Sequence, residues 1–216
     1  MDLPYKKGGF ISLEGGEGSG KTTQINHLAE MLSGRGYDVI TTREPGGVPE
    51  AESIRKLLVQ RDGGHWNAMA EVLLLFAARS IHIEKLIKPA LDAGKIIICD
   101  RFTDSTIAYQ GYGRGLDIEK IREIEQISIG KFTPDLTFIL DIDVKVGLAR
   151  SNARLTAQNN TEDRFERMDI DFHKKLREGF LEIARKNDDR CYIINAAQSI
   201  DNIFDEIKNI TLAKLG

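Results

Sequence analysis

Cysteine is scarce in this chain: there are two in 216 residues, Cys99 and Cys191. Each sits in an apolar run, they lack the pairs of a zinc site, and both read as small core residues. Long apolar runs are missing as well. The longest, Val72 to Ala78, is far too short to span a bilayer, and Met1-Asp2-Leu3-Pro4-Tyr5-Lys6-Lys7 has no apolar signal core. These absences make no membrane association and a cytoplasmic location the expectation. Nor does one sign of charge dominate: 30 Lys and Arg against 33 Asp and Glu leave a formal −3. That balance argues against binding nucleic acid by bulk electrostatics. No linker, repeat or low-complexity stretch divides the chain, so one large α/β domain is expected. The histidines, His27, His65, His82 and His173, are scattered, and no role is assigned to them.

What is present centres on Gly15-Gly16-Glu17-Gly18-Ser19-Gly20-Lys21-Thr22, which fits G-x-x-x-x-G-K-[ST]. The β-prone run Phe10-Ile11-Ser12-Leu13 precedes it, and Thr23 opens a stretch with apolar residues at helical spacing. Glycines let the loop curl so that successive backbone N–H groups face one anion, and the following helix adds the positive end of its dipole. Lys21 can then reach the β- and γ-phosphates of a bound nucleotide, with the Thr22 hydroxyl placed to ligate Mg²⁺. The chemistry expected of the loop is nucleotide triphosphate binding.

Short β-prone runs alternate with helical patterns along the rest of the chain. Strands are expected at Phe10 to Glu14, Asp38 to Thr42, Lys95 to Cys99, Leu136 to Asp141 and Cys191 to Asn195. Helices are expected near Thr22 to Ser33, Glu50 to Gln60, Ala68 to Ala93, Ile118 to Ile129, Val144 to Arg154, Asp171 to Lys186 and Ile200 to Leu215. This alternation implies a three-layer α/β fold of the P-loop NTPase kind, a five-stranded parallel sheet with helices on both faces. Ligands in such sheets gather at the carboxyl ends of the strands. Four of the five ends carry chemistry: Glu14 and the phosphate loop; Arg43-Glu44-Pro45-Gly46-Gly47; Asp100-Arg101-Phe102; and Asp141. Asp100 suits a metal held through water, with Asp141 as its competitor, and the Arg101 guanidinium suits a second phosphate.

Several of these segments together resemble bacterial thymidylate kinase: Glu14 to Thr23, Arg43-Glu44-Pro45-Gly46-Gly47, Phe76-Ala77-Ala78-Arg79, Asp100-Arg101-Phe102 and Ser105-Thr106-Ile107-Ala108-Tyr109-Gln110-Gly111. Pro134 to Asp141 and Asp163-Arg164-Phe165-Glu166 join the match, which runs in order from about residue 9 to near residue 195. The resemblance implies an ATP- and Mg²⁺-dependent kinase that converts dTMP to dTDP, generally as a homodimer. It also implies site residues. Arg43 and Arg101 would hold the dTMP phosphate, and an aromatic on the third helix would stack on thymine. Phe76 is taken for that ring, although relatives carry a phenylalanine four before the arginine, where Leu75 stands here. Arg79 would hydrogen-bond a thymine carbonyl; Tyr109 would crowd the sugar 2′ position; Glu17 would approach the 3′-hydroxyl or the metal. Ser105, Thr106 and Gln110 complete the substrate set.

The stretch from Arg150 to Arg167 places arginines on both sides of a polar, turn-prone middle and reads as a mobile lid over about 150–167. Glu17 stands where some relatives carry a catalytic arginine, so the lid is expected to supply that charge, with Arg154 first and Arg150 and Arg164 next. The acceptor is an ionised phosphate, so alignment and charge neutralisation by Lys21, Mg²⁺, Arg101 and a lid arginine are the catalytic needs. Two other readings share the phosphate loop. A GTPase switch would need Asp-x-x-Gly and Asn-Lys-x-Asp motifs, and neither occurs. Another nucleoside monophosphate kinase is the nearer alternative, because gripping two phosphates does not choose a base.

Overall fold

The computed structural model describes residues 8–60, 64–158 and 162–215. Asn159, Asn160 and Thr161 of the expected lid, like Met1 to Lys7, lie outside the described residues. Five strands, β1 (Gly9–Glu14), β2 (Val39–Arg43), β3 (Ile96–Asp100), β4 (Leu136–Asp141) and β5 (Cys191–Asn195), pair in parallel in the order β2-β3-β1-β4-β5. The order reverses at β1, and β1 delivers the phosphate loop into the crevice that this reversal opens.

The strands are apolar on both faces, as a sheet covered twice requires. Ile11, Leu13, Ile96, Ile98, Phe138 and Leu140 face α1 (Lys21–Gly34) and α9 (Ile200–Leu215), meeting Ile25, Leu28, Leu32, Ile203 and Ile207. The alternate residues point the other way. Phe10, Ile97 and Cys99 pack with Ile83, Ile87 and Phe102, while Ile139 and Cys191 pack with Phe172, Leu176 and Phe180 of α8 (Ile170–Lys186). Both thiols are free and buried.

The remaining helices are α2 (Pro49–Val59), α3 (Ala68–His82), α6 (Ile118–Ile129) and α7 (Val144–Gln158), with α4 (Lys88–Asp92) and α5 (Thr103–Thr106) as short pieces. Side-chain caps start α3, α6 and α8: Asn67, Asp117 and Asp169 accept from Ala70 N, Glu119 N and Phe172 N. Two departures from the expected elements have physical reasons. The helix expected from Ala68 to Ala93 widens into a π-helical turn at Ile83–Ile87. Pro89 follows, with no N–H to donate to the carbonyl four residues back and a ring that would crowd it. For the segment after β3 no element was expected, yet it forms α5 and a π-helical stretch, Ile107–Gly113. Its residues Thr103 to Gly111 are all buried, so no polar face marks a helical period.

Candidate active site

The phosphate loop runs from the end of β1 into α1. Gly18 adopts φ +66°, and a Cβ there would lie 2.0 Å from the carbonyl oxygen of Gly147 on α7, so only glycine lets these backbones approach. Lys21 folds back over the loop and donates to the carbonyls of Gly15 at 3.1 Å and Gly16 at 3.0 Å. Burial, and then the neighbouring Arg101 charge, lower its pKa to about 8. A bound polyphosphate would reverse that shift.

Arg101 follows β3 in the left-handed region, φ 71°, which turns its guanidinium back onto the phosphate loop. It donates to Gly15 O at 2.9 Å, Ser105 Oγ at 3.3 Å and Glu17 Oε1 at 3.1 Å, and lies 4.9 Å over the Tyr109 ring. The Tyr109 hydroxyl also donates to Glu17. Burial alone would raise the Glu17 pKa, but Arg101 and Lys21 outweigh it and hold the carboxyl below its usual range. Beneath this cluster Glu14, 0 % exposed, accepts from Phe102 N at 2.7 Å and Ser105 Oγ at 2.5 Å; burial and then Asp104 push it up to about 8. Glu14 thereby ties the start of α5 to β1.

A cleft of about 540 Å³ opens from this loop and is lined by Lys21, Thr22, Arg43, Leu75, Arg79, Asp100, Arg101, Tyr109, Gln110 and Arg154, among others. Its size suits a small-molecule site. At its far end Arg79 is held by Glu44, which accepts from Nε at 2.7 Å, and by Thr106, which accepts from Nη2 at 3.1 Å. His82 braces the other Glu44 oxygen at 2.9 Å and reaches Thr42 at 2.8 Å. Arg79 Nη1 and Gln110 Oε1 have no hydrogen-bond partner among the described residues, although both are buried. Arg79 and Gln110 both line the cleft, and an orphaned donor and an orphaned acceptor on them are costly unless a partner completes them. Asp100 Oδ1 is likewise buried and unpartnered.

A family model described as thymidylate kinase matches residues 13–207. The chain belongs to the thymidylate kinase family. The thymidylate kinase of Caulobacter vibrioides is 47 % identical over 210 residues, covering 97 % of this chain and 99 % of that one. That of Syntrophotalea carbinolica is 45 % identical over 199 residues, covering 92 % of each. A crystal structure of thymidylate kinase from Ehrlichia chaffeensis, 38 % identical, superposes with a TM-score of 0.76 over 95 % of this chain and 99 % of that one.

Within this thymidylate kinase fold the structure distributes the expected site residues unevenly. Gly15 to Thr23, Arg43, Arg79, Asp100, Arg101, Ser105, Thr106, Tyr109, Gln110 and Arg154 converge on the loop and the cleft beside it. Phe76 does not line the cleft. It is 1 % exposed in the core behind, with the Arg79 guanidinium 4.7 Å over its ring, and Leu75 takes the wall position.

The lid arginines separate in the same way. Arg154 lines the cleft, donates to Ser151 Oγ at 3.2 Å, and forms no ion pair among the described residues. Arg150 instead donates to Ala196 O at 3.3 Å, on the turn after β5. Arg164 is turned onto Leu58 O at 2.9 Å and the Glu71 carboxylate, and does not itself line the cleft. Asp141, the competing metal carboxylate, is taken by Arg177 through two bonds of 2.6 and 2.8 Å. Sequence reading missed Glu44, His82 and Glu71 as organisers. Their signal is weak in a sequence, since each acts by holding another side chain.

Proposed function

We propose that the chain transfers the γ-phosphoryl group of ATP to dTMP, with both nucleotides in the cleft and their phosphates meeting between Lys21 and Arg101. The enzyme is a dTMP kinase, supplying dTDP. The observation that carries the choice of base is the orphaned pair on two cleft-lining residues: Arg79 Nη1 is a donor and Gln110 Oε1 an acceptor, each buried without a partner among the described residues. Thymine presents a carbonyl beside a ring N–H and matches both; cytosine presents an amine beside a bare nitrogen and matches neither. Leu75, on the same wall, supplies apolar contact to the ring. Tyr109, whose hydroxyl is committed to Glu17, walls the sugar and disfavours a 2′-hydroxyl.

Asp100 Oδ1, buried without a partner, and the Thr22 hydroxyl form a donor set that suits Mg²⁺, which keeps most of its ligands as water and phosphate oxygen. The ion, when bound, would neutralise charge on the transferring phosphate. Lys21, Arg101 and Arg154 do the rest: they fix the phosphates in line and meet the charge that spreads over the equatorial oxygens. Arg43 supports the acceptor phosphate, and Arg150 with the turn at Ala196 supports the adenine end. The acceptor needs no general base, so Glu17, held by Arg101 and Tyr109, serves position and charge balance.

The family resemblance also implies a homodimer. Leu73 of α3 (53 % exposed) and Ile127 of α6 (87 %) stand out on two helices that pack together, an apolar face in keeping with self-association. Two free buried thiols are in keeping with a reducing, cytoplasmic setting. The function is tested by coupled ADP release over dTMP, dUMP, dCMP, dGMP and dAMP. dTMP gives the highest kcat/KM; a higher value for dCMP or a purine would replace this reading with that of another monophosphate kinase.

A further inference from the structure

Glu71 lies in the first turn of α3 and is 0 % exposed. An enclosed carboxylate is costly unless matched, and three donors converge on it. Gln110 Nε2 donates to Oε2 at 2.9 Å, Arg114 Nη1 to Oε1 at 3.1 Å, and Arg164 Nη2 to the same Oε1. These donors come from separate places: the π-helical stretch, the residue that ends it, and the lid. A carboxylate facing two guanidinium groups only accepts. The Gln110 amide can therefore meet it with nitrogen alone, because the flipped amide would set oxygen against oxygen. Oε1 is thus fixed on the opposite side of a residue that lines the cleft, buried and without a partner.

We propose that Glu71 is the positioning residue that sets base selectivity: it locks the Gln110 amide so that an acceptor, never a donor, meets the ring nitrogen of the base. This rests on the thymidylate reading of the cleft. A base with a ring N–H beside a carbonyl is accepted; cytosine, whose N3 accepts, is refused. Because Arg164 of the lid ends on the same carboxylate, the group that orients the base reader also holds the cover shut.

The test is Glu71→Gln, read as the ratio of kcat/KM for dTMP over dCMP. A glutamine at 71 offers both donor and acceptor, so the Gln110 amide is free to turn. The ratio should fall by about tenfold or more, chiefly through a higher KM for dTMP, since hydrogen-bonding sites discriminate strongly only when their polarity is fixed. Arg164→Gln, which leaves the carboxylate in place, should lower kcat while the ratio stays within about twofold. If losing one buried charge unfolds the single variant, Glu71→Gln/Arg164→Gln restores the charge balance and should show the same fall. A folded variant, single or double, with the wild-type ratio overturns the assignment. Absence of dTMP kinase activity in the wild-type chain would instead defeat the function reading, and that is measured first.

Discussion

Among single residues, Arg154 carries the sharpest expectation. Of the three lid arginines it alone faces the cleft, while Arg150 and Arg164 are engaged elsewhere. Arg154→Ala should lower kcat by about 10³-fold or more, the scale of a lost transition-state arginine, with KM for dTMP changed only a few-fold. Steady-state kinetics check this, and a near-normal kcat would remove Arg154 from the role. Lys21 gives a pH prediction. Its pKa in the free enzyme lies at about 8, below the usual lysine value, and phosphate binding favours the charged form. ATP affinity should be level below about pH 7.5 and weaken above pH 8, approaching tenfold per pH unit; titration calorimetry from pH 6 to 9.5 measures it. Affinity that rises over that range would contradict the shift. Much of this residue set was legible because phosphate binding demands particular atoms at particular spacings. Leu75 in place of Phe76 was half legible: the spacing from Arg79 in relatives pointed to position 75, the aromatic type to Phe76, and it is Phe76 that is buried in the core while Leu75 lines the cleft.

Among the elements, the described part of the segment expected to be a lid makes specific contacts. Arg55 of α2 pairs with Glu162 at 2.7 Å and donates to Pro45 O at 2.9 Å, while Arg164 reaches across to Glu71. These contacts fasten the segment after α7 to the opposite wall of the cleft. The Arg55–Glu162 pair is partly buried and should contribute about 1 kcal/mol to closure, or about fivefold in the closed population. Glu162→Gln should therefore raise ATP hydrolysis relative to phosphoryl transfer by several-fold, measured as inorganic phosphate released per dTDP formed. An unchanged ratio would mean that this pair does not govern closure. The five strands and most helices were readable from periodicity. The piece from Thr103 to Gly113 was not, because a helix buried all round shows no amphipathic signal.

For the whole molecule, two apolar layers on either side of one sheet enclose both cysteines. Burial raises Cys99 well above its usual pKa and pushes Cys191 up to about 12. The native enzyme at pH 8 should therefore resist thiol reagents, and both thiols should react in denaturant. Rapid labelling of the native form would show that the sheet faces open readily. The same two-sided burial made the fold class legible, through strands apolar on both faces between helical stretches. How the elements share the cleft was not legible, because Glu14, Glu44 and Glu71 join parts 35 to 93 positions apart, and nothing in the segments that hold them names the partner side chain. The central claim concerns that cleft, and a crystal structure with dTMP and a non-hydrolysable ATP analogue tests it most directly. The account predicts the dTMP phosphate between Arg43 and Arg101, the γ-phosphate on Lys21, and thymine against Arg79 and Gln110. Thymine seated at Arg150 and Ala196, with nothing bound to Arg79 and Gln110, would contradict it.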